Sequence, residues 1–180
     1  MATYVALLRG INVGGRHRLP MRDLVRIFEE SGCVDVATYI QSGNVIFDAP
    51  AALAMKVPGL VVGAIEREFG FSSPVVLRTK SALSRVLNSN PLIGASDDPK
   101  LLMVAFLDRK PSAAQVRSLE PERFTPDRLE VQGSEVYLHY PGGAARSKLT
   151  AVYLDRRLGG VCTARNWNTV TKLVELCEAR

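Results

Sequence analysis

The chain is short of the residues that carry familiar chemistry. It has one tryptophan, two histidines and three cysteines among 180 residues. The cysteines, Cys33, Cys162 and Cys177, are odd in number and far apart, with no CxxC or Cys/His spacing of a zinc site or redox pair, so they read as buried thiols in a reducing compartment. His17 and His139 have no Cys or acidic neighbour at ligand spacing, and no Ser/His/Asp set is apparent. No metal or other cofactor is expected. Long hydrophobic runs are also missing: Arg, Glu, Gly or Pro breaks every apolar stretch within a few residues, and the N-terminus lacks a basic-then-apolar leader pattern. Neither a membrane partner nor export is expected. Cytoplasm is the expected location.

What is present is a substantial apolar fraction, 47%, enough to bury a core in one domain or two small ones, and a formal charge of +5 in which arginine heavily outnumbers lysine. Such a charge suits an anionic partner, although an Arg- and Ala-rich composition is also what a GC-rich genome writes on any protein.

Periodicity divides the chain into two similar halves. In the first, Tyr4–Leu8 reads as a strand, Met21–Ser31 as an amphipathic helix, and Val36–Gln41 and Asn44–Asp48 as a hairpin around Ser42-Gly43. A helix opened by Pro58 and closed by Gly70 follows, then a strand over Val75–Arg78. A short helix at Ser81–Asn88 and an Asn90–Pro99 loop mark the boundary. The second half repeats the order: strand Leu101–Leu107, helix Ser112–Leu119, hairpin strands Arg128–Val131 and Glu135–Tyr140, helix Ser147–Leu158 and strand Val161–Arg165, with one helix added over Thr169–Glu178. A βαββαβ order is that of the ferredoxin-like arrangement. The expected fold is therefore α+β, two tandem ferredoxin-like modules with mainly antiparallel sheets and an extra C-terminal helix. The modules are expected over residues 1–80 and 100–180, with residues 81–99 as helix and linker.

Four motifs stand out against this frame: Leu8-Arg9-Gly10-Ile11-Asn12-Val13-Gly14-Gly15, Thr38-Tyr39-Ile40-Gln41-Ser42-Gly43-Asn44-Val45, Arg146-Ser147-Lys148-Leu149, and Arg165-Asn166-Trp167-Asn168-Thr169. Together they resemble the domain of unknown function 1697 family of small bacterial proteins. The resemblance runs from the first strand to the last helix and implies no particular activity.

Topology gathers the motif residues at two sheet ends. Arg9, Asn12, Gln41 and Asn44 converge at one end of the first sheet, and Arg146, Ser147, Lys148, Arg165 and Asn168 at one end of the second. In the second group, a glycine-containing loop leads into a helix start bearing Arg, Ser and Lys, which is the design of a phosphate or carboxylate site and equally that of a simple surface turn. It is not a Walker A loop, because Gly142-Gly143 and Ser147-Lys148 have neither its spacing nor its order. The first group reads equally as structural: glycines allow a tight crossover, and Gln41, Ser42 and Asn44 satisfy backbone groups around a hairpin. Trp167 reads as a plug over the core in preference to a base-stacking ring, with Asn166 or Asn168 as N-cap of the last helix.

Neither cluster shows a carboxylate, so metal-assisted and paired-carboxylate chemistry lack residues to use. Three functions stay open. One is a binder of a phosphate-bearing ligand, whether nucleotide, nucleic acid or phosphorylated metabolite; Asn44-Val45-Ile46-Phe47 lacks the aromatics of an RNA-recognition strand, so RNA would have to bind at loops and edges. Another is an enzyme acting on a small anionic metabolite in a cleft between modules. The last is an assembly protein whose motifs are purely structural.

Overall fold

The computed structural model describes residues 1–180. Its elements in chain order are β1 (Ala2–Leu8), α1 (Met21–Glu30), β2 (Val34–Tyr39), β3 (Asn44–Ala49), α2 (Ala51–Ala54), α3 (Val57–Phe69), β4 (Val75–Thr79), α4 (Lys80–Asn88), β5 (Leu102–Leu107), α5 (Ala113–Arg117), β6 (Arg128–Gln132), β7 (Glu135–His139), α6 (Ala151–Leu158), β8 (Cys162–Asn166) and α7 (Trp167–Glu178). The protein is mixed α+β, with seven helices and two four-stranded sheets that are antiparallel throughout. No helix is long and apolar enough to cross a membrane. Two compact units divide the chain, one of Met1–Leu83 with Leu173–Arg180 and one of Ser84–Lys172, so the division falls inside α4 and inside α7.

In the first unit the strand order is β2-β3-β1-β4. Successive side chains of a strand point to opposite faces, and Tyr4, Ala6 and Leu8 of β1 join Val45, Phe47 and Ala49 of β3 on the face that packs against helices. Helix α1 supplies Leu24, Ile27 and Phe28 at helical spacing and α3 supplies Val57, Val61 and Ile65. Gly70, at φ 76°, ends α3 in the left-handed conformation that a side chain resists. The hairpin β2–β3 turns through Ile40–Gly43. There a Cβ on residue 43 would stand 2.7 Å from Leu8 Cβ, so only glycine lets the turn close on β1.

The long connection after β1 contains a small hairpin of its own. Gly14 and Gly15, both at positive φ (58° and 73°), form the centre of a two-residue turn bridged by Val13 and Arg16, with Arg16 N–H donating to the Val13 carbonyl at 3.0 Å. His17 stacks on Phe71 with ring centroids 4.6 Å apart.

The second unit has the order β6-β7-β5-β8. One face of this sheet, with Ala105, Leu107, Val136, Leu138 and Cys162, packs on Leu154 and Leu158 of α6 and on Leu119. Ser112 and Gln115 close a capping box at the start of α5. The expected helix over Ser147–Leu158 is corrected: α6 begins only at Ala151, with the Thr150 hydroxyl accepting from Tyr153 N–H. Leu149 is the reason. Its side chain is buried, its N–H donates to Ser147 Oγ at 2.9 Å and its carbonyl accepts from the buried Tyr140 hydroxyl at 2.9 Å, which holds residues 147–149 out of the helix. All three cysteines are buried, and burial pushes the Cys33 thiol up to about 11.

Candidate functional site

At the first sheet end the register aligns Leu7 with Asn44 and Asn44 with Tyr39, so the exits of β1 and β2 meet the entry of β3. The side chains there bind the chain to itself. Asn12 Nδ2 donates to the carbonyls of Leu19 and Gln41, both at 2.9 Å, and Asn12 Oδ1 accepts from Leu19 N–H at 2.9 Å. Asn44 is fully buried and its Nδ2 donates to the Tyr39 carbonyl and Ser42 Oγ. Arg9 is half-buried, with its backbone fastened to Pro74 and to the Ser73 hydroxyl. A concavity of ≈ 450 Å³ lies here, lined by Asn12, Gly15, Arg18, Leu19, Pro20 and Gln41. Arg9 and Asn44 are not among its walls, and its one cation, Arg18, carried no sequence signal beyond a basic residue in a loop.

The second sheet end is built differently. After β7 the chain turns at Gly143, whose N–H donates to the Tyr140 carbonyl, passes through a 3-10 turn over Ala144–Arg146 and extends at Ser147. Ser147 Oγ, besides accepting from Leu149, donates to the carboxylate of Asp127 at 2.5 Å. The expectation that this cluster holds no carboxylate is therefore corrected. Asp127 lies at the foot of β6, about twenty residues upstream of Ser147, and only the β6–β7 pairing brings the two together. A basin of ≈ 320 Å³ opens here, with Arg146, Ser147, Lys148, Gly142 and Gly143 on one side and the Arg123–Asp127 segment on the other.

A neighbouring concavity of ≈ 450 Å³ shares Arg123, Phe124 and Lys148 with the first basin and adds Tyr153, Arg156 and Arg157. The Phe124 and Tyr153 rings meet edge to face at 4.7 Å, and the Arg157 guanidinium lies 5.6 Å over the Tyr153 ring. Glu120 neutralises part of this surface, reaching Arg123 at 2.8 Å and Arg157 at 2.5 Å. The hydrogen bond from Arg123 holds its carboxyl below the usual carboxylate range, helped by the nearby charge of Arg157. Arg146, Lys148 and Arg156 enter no ion pair. Sequence reasoning missed Arg123, Phe124, Tyr153, Arg156 and Arg157, since none sits in a motif. The one available hint was helical spacing, which puts Arg156 and Tyr153 on the same side of α6.

Arg165 and Asn168 do not line either basin. In β8, Cys162 and Ala164 face the α6 core, so alternation turns Arg165 to the other face. There it is 7% exposed and donates to Thr163 Oγ1 at 2.8 Å and the Ala164 carbonyl at 2.9 Å. Burial lowers its guanidinium to about 10. Asn166 caps α7 by accepting from Thr169 N–H at 2.8 Å, while Asn168 is exposed. Trp167 is 7% exposed and therefore part of the core. No three His, Cys, Asp or Glu side chains come together as metal ligands.

The motifs now have places in a fold, and a family model described as a protein of unknown function (DUF1697) matches residues 1–137, well over half of the chain. The chain belongs to the DUF1697 family. Among solved structures it is similar to the conserved bacterial protein SP0830 from Streptococcus pneumoniae, at 23% identity, a TM-score of 0.70 and coverage of 98% of each chain. That likeness is one of fold. No curated protein matches the sequence. The basin at Arg146 includes residues beyond the family match, which ends at Tyr137 within β7.

Proposed function

We propose that this protein binds a phosphate-bearing ligand, a nucleotide, nucleic acid or phosphorylated metabolite, in the basin between Arg146–Lys148 and the Arg123–Asp127 segment. The observation that carries the reading is that Arg146 and Lys148 flank this concavity with no carboxylate paired to either. Glu120 balances Arg123 and Asp127 offsets one further cation, so the basin keeps an excess of positive charge that an anion would neutralise. Gly142 and Gly143 add backbone approach without side-chain bulk. Cations left unpaired around a concavity focus their field and interact with an anion more strongly than on a flat surface.

The reading of each unit as a ferredoxin-like module goes with this proposal, as does a cytoplasmic location. The strand orders β2-β3-β1-β4 and β6-β7-β5-β8, antiparallel throughout, support the fold assignment. An enzyme acting on a small anionic substrate is the second reading. The Ser147 hydroxyl donating to Asp127 favours it, because a carboxylate so placed is where a general base would stand.

Thermal unfolding tests the proposal. Phosphate or sulfate should raise the melting temperature of the wild type more than that of an Arg146→Ala, Lys148→Ala double variant, since a ligand that binds only the folded state stabilises it by mass action. Equal shifts in the two proteins would be general salt effects and would overturn the proposal.

A further inference from the structure

We infer that the ligand is a single-stranded oligonucleotide, which spans both concavities and uses Phe124 as the surface between two phosphates. This inference rests on the reading of the Arg146–Lys148 basin as a phosphate site. Two neighbouring concavities share Arg123, Phe124 and Lys148, so they adjoin at these side chains on the second unit. Unpaired cations stand along them: Arg146 in one, Lys148 in both and Arg156 in the other. Between them lies the half-buried ring of Phe124, held edge to face against Tyr153.

Cation, apolar ring, cation is the complement of phosphate, nucleoside, phosphate. A single inorganic phosphate or small metabolite would occupy one concavity and leave Arg156 unused. A fully charged inorganic chain would place an anion against the ring. Single-stranded nucleic acid alternates the two kinds of group, and sequence-tolerant binding of it combines a basic track with aromatic stacking. Tyr153 serves here as support: its hydroxyl accepts from Glu120 N–H and one face of its ring lies under Arg157. Trp167, buried in the core, takes no part.

Binding of phosphate, a 5′-mononucleotide, inorganic tripolyphosphate and a tetranucleotide to the full chain, each over a range of salt, tests the inference. The tetranucleotide should bind at least about tenfold tighter than the mononucleotide. Its log affinity should fall with log salt at a slope of about −2, as expected for three neutralised phosphates at roughly 0.7 each. Arg156→Ala, on an exposed side chain, should reduce that slope by about 0.7 and remove the tetranucleotide's advantage while leaving the mononucleotide unchanged. Phe124→Leu, which keeps an apolar group against the core, should weaken the tetranucleotide by roughly 5- to 100-fold, the effect of losing one stacked base. Equal affinities for mononucleotide and tetranucleotide would overturn the oligonucleotide while leaving the phosphate site standing. Tripolyphosphate binding as tightly as the tetranucleotide would overturn the role of Phe124. No binding by any probe would overturn both proposals together.

Discussion

The two sheet ends hold similar sets of polar residues and use them in opposite ways. At the first, Asn12 and Asn44 direct their amides at backbone carbonyls, and the Asn12 oxygen takes the Leu19 amide. At the second, Ser147 is engaged in the same way, but Arg146 and Lys148 beside it are not. A polar motif in a loop is thus no sign of a binding site until the partners of each group are known. Short amide and hydroxyl side chains reach backbone groups and stabilise turns; Arg146 and Lys148 extend past them, whereas Arg165, on the other face of β8, is buried and bonded.

The comparison predicts losses of stability where side chains are engaged and losses of binding where they are not. The largest effect belongs to Trp167, which the sequence grouped with the second end and the structure buries. Trp167→Ala should lower stability by about 3–5 kcal/mol, the range for truncating a buried large aromatic, measured by denaturant unfolding. Fluorescence of the wild-type tryptophan should be blind to added oligonucleotide. Strong quenching in a protein that tolerates the substitution would place the ring in the site.

Asn12→Ala comes next. It removes three hydrogen bonds and puts alanine at φ 54°, so a loss of about 2–3 kcal/mol is expected. The Arg146→Ala, Lys148→Ala variant should stay within about 0.5 kcal/mol of wild type in the absence of anions. If the ranking were reversed, with Asn12→Ala neutral and the double variant unstable, the contrast between the two ends would collapse.

How far the sequence could lead depends on the distance over which each feature is determined. The β2–β3 hairpin was legible because Ser42-Gly43 separates two apolar runs, and α3 because Gly70 closes it. The four motifs were brought to the two predicted ends because strand order alone decides that. Local competition decided the start of α6: Ser147 resembles an N-cap, but its hydroxyl caps nothing and turns Leu149 instead, leaving the cap to Thr150. The face taken by Arg165 followed from strand alternation and was available in principle. The Ser147–Asp127, Glu120–Arg157 and Phe124–Tyr153 pairs were not, because the two members of each lie from 20 to 37 positions apart in the chain and no local pattern marks them.

The smallest effect sharpens the contrast within the second end itself. Glu120 is the one carboxylate that restrains Arg123 and Arg157, and its pairs are open to solvent, so Glu120→Gln should leave the melting temperature nearly unchanged. The same substitution frees both guanidiniums toward the concavities they line, and sulfate or an oligonucleotide should then bind a few-fold more tightly. The sign of the pH dependence follows. Because Arg123 first, and then Arg157, holds the folded-state carboxyl below its ordinary value, its small contribution to stability is complete above the unfolded pKa and is lost as pH falls through the folded one. Protonation at that lower pH does to the wild type what Glu120→Gln does permanently. Sulfate keeps its charge over this range, so its affinity for the wild type should rise on acidification toward that of the variant, whose own affinity should rise less. Parallel pH profiles for the two proteins, measured by titration calorimetry, would remove Glu120 from any influence on the site.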